Sequence, residues 1–455
     1  MFANDKYLLN LDLTNFNTIS VTNMAHLFDN CERLADLIIP NFVTNLVTDM
    51  SYMFNGCKKL KNLNLEKFDT NKVINMKNIF SDMTSLNSLI FSKTNFVTSN
   101  VEDMSYMFYN NENIENIDLS NFDTKNVKDM SFMFSGCKKI KSLDLNKFYS
   151  SENLDKIDSM FSSCNNLEKI SMQNLNTKNI KDMSHLFSNC NSLISLDISY
   201  TEFITSNVQD MNNMFLNCHK LKEININLDT KFVKDMSSMF QGCNSLQSLY
   251  LANLDISSAE DLSNMFNGCH SLPNLDLANF KSNQVLDMSY MFYECRSLQY
   301  ISNLNNMDTT LVKNMESMFE GCTSLISLDL TNFKTPNLFK ANNLFYNCKN
   351  LQQINFGINF NTNKLINMDY IFYNCNSLSK LDLSKFETTN VESMKFMFNY
   401  CTSLNELNLE KFDTNKCGNF EAMFSGVRNI KITINKNNNE KLLEKINGEY
   451  TIVNK

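Results

Sequence analysis

The chain has 455 residues, 43% of them apolar, with 36 phenylalanines and no tryptophan. Its net charge of −8 comes from interspersed lysines and acids, and no basic stripe with interleaved aromatics marks a nucleic-acid surface. No apolar run reaches the ~18 residues of a membrane-spanning helix, the opening Met1-Phe2-Ala3-Asn4-Asp5-Lys6-Tyr7 does not read as a secretory leader, and the final Tyr450-Thr451-Ile452-Val453-Asn454-Lys455 shows no anchor or sorting motif.

The Met-Phe pair at the start returns throughout the chain. Its phenylalanine falls at Phe2, Phe28, Phe54, Phe80, Phe108, Phe134 and onward to Phe424, seventeen times at steps of 25 to 28 residues. A fixed period of this size is the signature of a solenoid, which grows by adding coils and needs no second core. Met1-Phe2 falls in the middle of a coil, and a solenoid end needs polar cover. The natural product is therefore expected to begin further upstream.

Within a coil, the residue five before the phenylalanine is an acid in Asp49, Asp103, Asp129, Asp182, Asp210, Asp235, Asp261 and Asp287, and Asn or Ser in most other coils. These types suit a helix N-cap, because a side-chain oxygen can accept from an orphan amide. Met130, Met133 and Phe134 then form an i, i+3, i+4 face, and Gly136 suits a helix stop. The spacing predicts about two turns of helix per coil. Further on, Leu60, Leu63 and Leu65 begin in a turn and end in alternation, which predicts a short strand with one buried face. The expected fold is an α/β solenoid of about seventeen short coils, with a parallel β-sheet on one side and short helices on the other. Two coils carry matching two-residue insertions just after the strand, within Thr94–Val101 and Thr201–Val208, and both bulges are expected on one rim.

Several columns repeat from coil to coil. Thirteen of the fourteen cysteines share one position, and Cys417 stands apart. Stacked atoms about 4.8 Å apart come within the roughly 4.4–6.8 Å Cα reach of a disulfide. However, the unbroken run from Cys137 to Cys401 has eleven members, and side chains pointing in parallel suit the bond's dihedral poorly. The column reads as small buried side chains beside the phenylalanine. No C-x-x-C pair or Cys/His grouping points to a metal.

The outward residue between the two strand leucines is Asp118, Asp144, Asp197, Asp276, Asp329 or Asp382 in the coils of most interest. This column reads as a solvated face that keeps the sheet soluble, with a cation-binding stripe as the competing reading. Tyr250 and Tyr300 add aromatic contact candidates, and these eight residues make up the candidate partner surface. A threonine column that includes Thr44, Thr70 and Thr98 is expected to satisfy backbone groups in the turn after the strand. The histidines His26, His185, His219 and His270 are scattered, and no zinc, nucleophile or phosphate motif occurs. No catalytic, cofactor or metal residue is assigned.

After Gly426-Val427-Arg428 the period ends. Ile430, Ile432 and Ile434 alternate as a last strand, residues 438–446 read as an amphipathic helix, and Tyr450-Thr451-Ile452-Val453 as a closing strand. The expected domains are a repeat solenoid over 1–430 and a capping segment over 431–455.

The coil Leu119-Ser120-Asn121-Phe122-Asp123-Thr124-Lys125-Asn126-Val127-Lys128-Asp129-Met130-Ser131-Phe132-Met133-Phe134-Ser135-Gly136-Cys137 resembles the BspA-like leucine-rich repeat. That repeat is known from bacterial surface proteins, mycoplasma lipoproteins and some microbial eukaryotes. The resemblance covers Met1 to about Ile430. Departures are local: Asp5, Met83, Asn111 and Val427 replace the cysteine, and Lys156 and Lys340 stand where the acid is expected. The resemblance implies a non-enzymatic, surface-exposed protein without cofactor, with a host, matrix or other cell-surface protein as partner. Two functional readings follow. The first is a surface or secreted adhesin that binds along the strand face. The second is an intracellular scaffold for protein–protein interaction, consistent with free cysteines. A catalytic site assembled from distant coils is the third.

Overall fold

The alternating leucines form short parallel strands in a computed structural model that describes all residues except 150–151, 199–201, 226–227, 252–253, 447–450 and 455. The chain divides into two units, Met1–Leu228 and Asp229–Lys455. Both are parallel β-solenoids, together of about 16 turns.

Unit 1 carries β1 (Asn10–Asp12), β2 (Asp36–Ile38), β3 (Asn62–Leu65), β4 (Ser88–Phe91), β5 (Ser142–Asp144), β6 (Lys169–Ser171), β7 (Ser195–Asp197) and β8 (Glu223–Asn225). They pair in parallel as β1–β2, β3–β4, β5–β6 and β7–β8. Register follows the repeat, with Leu11 opposite Leu37 and Leu63 opposite Leu89. Unit 2 carries β9 (Asn274–Asp276), β10 (Tyr300–Ser302), β11 (Ser327–Leu330), β12 (Gln353–Phe356), β13 (Lys380–Asp382), β14 (Glu406–Leu409), β15 (Lys431–Ile434), α1 (Glu440–Lys445) and β16 (Thr451–Asn454). Here β9 pairs β10, β11 pairs β12, and β13 to β16 form one four-stranded sheet. The expected last strand, helix and closing strand thus correspond to β15, α1 and β16, while Tyr450 lies outside the described residues.

The segment around Met-Phe is not helical, contrary to its spacing. The residues three and seven after the acid adopt left-handed backbone: Phe132 at φ 57° and Gly136 at φ 78° in one coil, Asn264 at 58° and Gly268 at 74° in another. A left-handed residue every fourth position interrupts any α-helical run. The amides instead alternate between two kinds of partner. Met133, Ser135 and Cys137 donate three residues back, to the carbonyls of Met130, Phe132 and Phe134, at 3.1–3.2 Å. Met130, Phe132, Phe134 and Gly136 donate to Lys156, Asp158, Met160 and Ser162 of the following coil, at 2.8–3.0 Å. The turn side is therefore a second parallel ladder. Asp129 opens it as an Asx turn, accepting from the amide of Ser131 at 2.9 Å, two residues on. Asn, Gly and His in the two left-handed positions were the available signal, since these types enter that region most readily.

The core lies between the two ladders. In unit 1 the phenylalanines from Phe2 to Phe215 stack ring on ring at 5.4–6.0 Å. In unit 2 those from Phe240 to Phe424 stack at 5.3–5.9 Å. All fourteen cysteines are free and buried. The column does more than fill space. Cys137 Sγ lies 3.2 Å from the carbonyl of Phe108 in the preceding coil, and Cys269 Sγ lies 3.3 Å from that of Phe240, so each thiol donates across coils. Asn111, in the cysteine position, keeps this bond: its Nδ2 donates to Phe80 O at 2.8 Å. Its Oδ1 also accepts from the amide of Met83 at 3.1 Å, in a coil that lacks its own cysteine.

The threonine column behaves as expected. Thr44 Oγ1 donates to Asp69 O at 2.9 Å and accepts from Asp69 N at 2.8 Å, clamping both backbone groups of one residue in the next coil. The two-residue insertions sit just ahead of this column at the same corner. There Thr70 reaches Val97 and Thr177 reaches Ile204, 27 residues on instead of 25; Thr201 lies outside the described residues.

Phe240 is fully buried in its stack, so Phe240→Ala should cost about 3–5 kcal/mol in chemical denaturation. A loss well under about 1 kcal/mol would remove the ring column from the core. Burial pushes the thiols of Cys164, Cys295 and Cys401 up to about 12, leaving essentially no thiolate near neutrality. A thiol reagent at about pH 8 should therefore leave the cysteine column unlabelled in the native protein and label it on unfolding. Rapid native labelling of that column would contradict its burial.

Candidate functional site

The strands turn one face inward and leave the other to solvent, and the candidate residues lie on the outer face. Asp118, Asp144, Asp197, Asp276, Asp329 and Asp382 are all exposed. Asp144, Asp197, Asp276 and Asp382 end β5, β7, β9 and β13, Asp329 lies within β11, and Asp118 lies in a coil without an assigned strand. Tyr250 is 72% exposed and Tyr300 47%. Tyr300 stands opposite Asn274, one pleat before the aspartate column, and is not a member of it.

The register keeps the acids apart. Asp144 faces Ser171 and Asp197 faces Asn225 in unit 1, and Asp276 faces Ser302, Asp329 faces Asn355 and Asp382 faces Asn408 in unit 2. No group of three or more His, Cys, Asp and Glu side chains placed to hold a metal ion occurs among the described residues.

These aspartates also have a local task. Asp118, Asp144, Asp276, Asp329 and Asp382 accept from the backbone amide two residues on, at 2.9–3.1 Å, which closes the turn that ends each strand. Hydrogen bonds from the Ser120 hydroxyl and amide hold the Asp118 carboxyl below the usual carboxylate range. The sequence carried the signal for this turn in the Ser, Thr or Asn two positions after Asp118, Asp329 and Asp144. One carboxylate oxygen is thus engaged in each turn, and in Asp329 the second oxygen also accepts from Asn305 Nδ2, at 3.1 Å.

Two further features lie off the strand face. In unit 2, a cleft of about 500 Å³ opens at the corner after β12, beside Lys334, Ile358, Lys385 and Lys411. Gly357 permits the tight corner next to it: a Cβ there would lie 1.9 Å from the carbonyl oxygen of Thr331. In unit 1, the acid column on the turn side is interrupted by Lys156, whose Nζ lies 3.4 Å from Asp129 Oδ2. Asp158 is half-buried beside it. Burial, with the neighbouring charges of Asp182 and Asp129, pushes its carboxyl up to about 6.

A carboxylate raised in the folded state contributes stability at low pH that is lost as pH rises through its folded value. Asp158→Asn removes this loss. Its denaturation midpoint should exceed that of the parent at about pH 8 and match it below about pH 4. An equal or lower midpoint at the higher pH would mean that Lys156 compensates the buried charge in full.

A search of curated proteins found no match. Solved structures to which the chain is similar include a leucine-rich repeat protein from Bacteroides ovatus, 18% identical, with a TM-score of 0.49 over 98% of this chain and 92% of that one. A leucine-rich repeat protein from Eubacterium ventriosum is 15% identical, with a TM-score of 0.39 over 90% and 92% of the two chains. One from Leptospira interrogans is 13% identical, with a TM-score of 0.23 over 98% and 99%. The sequence itself matches one family in seven overlapping stretches, 1–93, 89–200, 155–271, 193–302, 244–358, 274–380 and 357–451. With its period, its stacked phenylalanines and its parallel strands, the chain belongs to the family described as Mycoplasma protein of unknown function, DUF285, and its coils are BspA-like leucine-rich repeats.

Proposed function

We propose that this repeat scaffold is a non-enzymatic, cell-surface or secreted adhesin that recognises a protein partner along the outer face of its strands. The observation behind this reading is the face itself. It repeats an exposed carboxylate at a fixed register, alternating with Ser and Asn, and adds Tyr250 and Tyr300 as large side chains free of the core. Aromatic anchors beside polar groups are the composition of binding hot spots. Surface display rests on the resemblance to bacterial surface proteins. No helix among the described residues is long and apolar enough to cross a membrane. Residues 1–430 would supply the repeat scaffold and 431–455 the cap.

A second reading, an intracellular interaction scaffold, is favoured by the fourteen free cysteines, because oxidising compartments tend to pair thiols. Antibody labelling separates the two: the adhesin reading expects signal on intact cells, and signal only after permeabilisation sinks it.

Asn occupies the aspartate column in other coils, at Asn64, Asn225, Asn355 and Asn408, so Asp→Asn keeps the turn while removing charge. The combined variant Asp276→Asn, Asp329→Asn, Asp382→Asn should keep the parent's thermal midpoint. It should bind a captured surface partner at least about tenfold more weakly. Unchanged affinity would move recognition off this face.

A further inference from the structure

In unit 2 the residue that follows the stacked phenylalanine is Tyr293, Glu320, Tyr346 and Tyr373 in four successive coils. The turn ladder sets them side by side. The amide of Glu294 donates to Glu320 O at 2.7 Å, and that of Gly321 donates to Tyr346 O at 2.8 Å. Where two tyrosines are neighbours in this column, as Tyr346 and Tyr373 are, their rings stack at 4.6 Å. Glu320 breaks the column and stands with a tyrosine in the coil on either side. All four side chains are half-buried.

The fold does not pair the Glu320 charge. Arg296, from the preceding coil, binds Glu294 instead, Nε to Oε2 at 2.6 Å, and no lysine or arginine acts on Glu320 among the described residues. Burial pushes its carboxyl up, against a hydrogen bond from Ser317, and the charges of Glu294 and Glu316 push the same way. Burial also raises the phenols of Tyr293 and Tyr346, and the Glu320 charge adds to both. Further along the same ladder the chain supplies a cation itself. Lys395 Nζ lies 5.5 Å from the centre of the Tyr370 ring and 4.0 Å from Asp369 Oδ2, so a ring and a carboxylate share one ammonium.

We infer that Glu320, with Tyr293 and Tyr346 beside it, receives a lysine or arginine side chain of a protein partner. The carboxylate supplies the opposite charge, and the aromatic rings attract a cation through their quadrupoles. A cation over one exposed ring gains only about two- to fivefold in binding, so a free ammonium would hold weakly among half-exposed groups. A side chain carried by a partner that makes further contacts arrives at high effective concentration. The site lies on the turn side and does not depend on the strand face.

The probe is acetylated and amidated tetra-arginine, titrated into the full chain by calorimetry, with tetra-citrulline as its uncharged counterpart. The arginine peptide should bind with a Kd below about 1 mM, and the citrulline peptide should not bind. Glu320→Gln should weaken binding at least about fivefold at an unchanged thermal midpoint, since no ion pair of the fold uses that charge. Tyr346→Leu keeps the bulk without the ring and should weaken binding at least about twofold. The strand-face variant Asp276→Asn, Asp329→Asn, Asp382→Asn should bind the peptide as the parent does. The inference is overturned if Glu320→Gln binds like the parent. It is overturned equally if the strand-face variant loses as much, which would mark general attraction to a chain of net charge −8. Acetyl-arginine amide binding as tightly as the peptide would also overturn it, by assigning the site to a free cation.

Discussion

Everything in these coils depends on how the backbone divides its amides on the turn side. Half of them close tight turns within the coil and half reach the next coil, residue by residue in alternation. A left-handed residue at every fourth position makes this alternation geometrically available. For residues such as Tyr52, Phe132 and Tyr290, that conformation is uncommon, because Cβ crowds the following carbonyl. The inter-coil hydrogen bonds offset this cost only when the neighbouring coil is present. A single coil would gain little from adopting the shape, so stability here is a property of adjacent pairs, as nearest-neighbour treatments of repeat proteins require.

The side-chain columns tie the same pairs together from inside. The phenylalanine stack excludes water, the cysteine thiol donates to the carbonyl of the previous phenylalanine, and the threonine hydroxyl clamps both backbone groups of one residue in the next coil. Three Asx turns set the corners: Asp123 accepts from Lys125, Asp129 from Ser131 and Asp144 from Asn146. The acid therefore belongs first to the fold. Only what remains of the carboxylate on the outer face is available to a partner.

The period, the parallel strands and their register were legible in the sequence, because leucine alternation and a step near 26 residues have one economical arrangement. The helix reading failed for an instructive reason. Asp129, Met130, Met133 and Phe134 satisfy an N-cap and an i, i+3, i+4 face, and those rules contain no test for backbone handedness. Asn at positions such as Asn78, Asn213 and Asn264, alternating with Tyr and Ser in one column, was the contrary evidence. The cysteine column was placed correctly in the core, but its hydrogen bond was not foreseen, since thiols are usually treated as small apolar groups. Asn111 shows that an amide can take over the thiol's hydrogen bond at this position. The exposure of the aspartate column was legible from alternation alone, because a period of two fixes which side chains face solvent.

The pairing of Asn111 with Met83 and Phe80 sets a rule for how such a chain changes length. A cysteine coil offers the same donor and the same carbonyl as its cysteine neighbours, so one can be lost or copied and the bonds re-form with the coil beside it. The Asn111 coil follows the same rule, because its side chain bonds a main-chain carbonyl and a main-chain amide, groups that every coil carries. Length can therefore change by whole coils, as a threaded rod can be cut between any two turns.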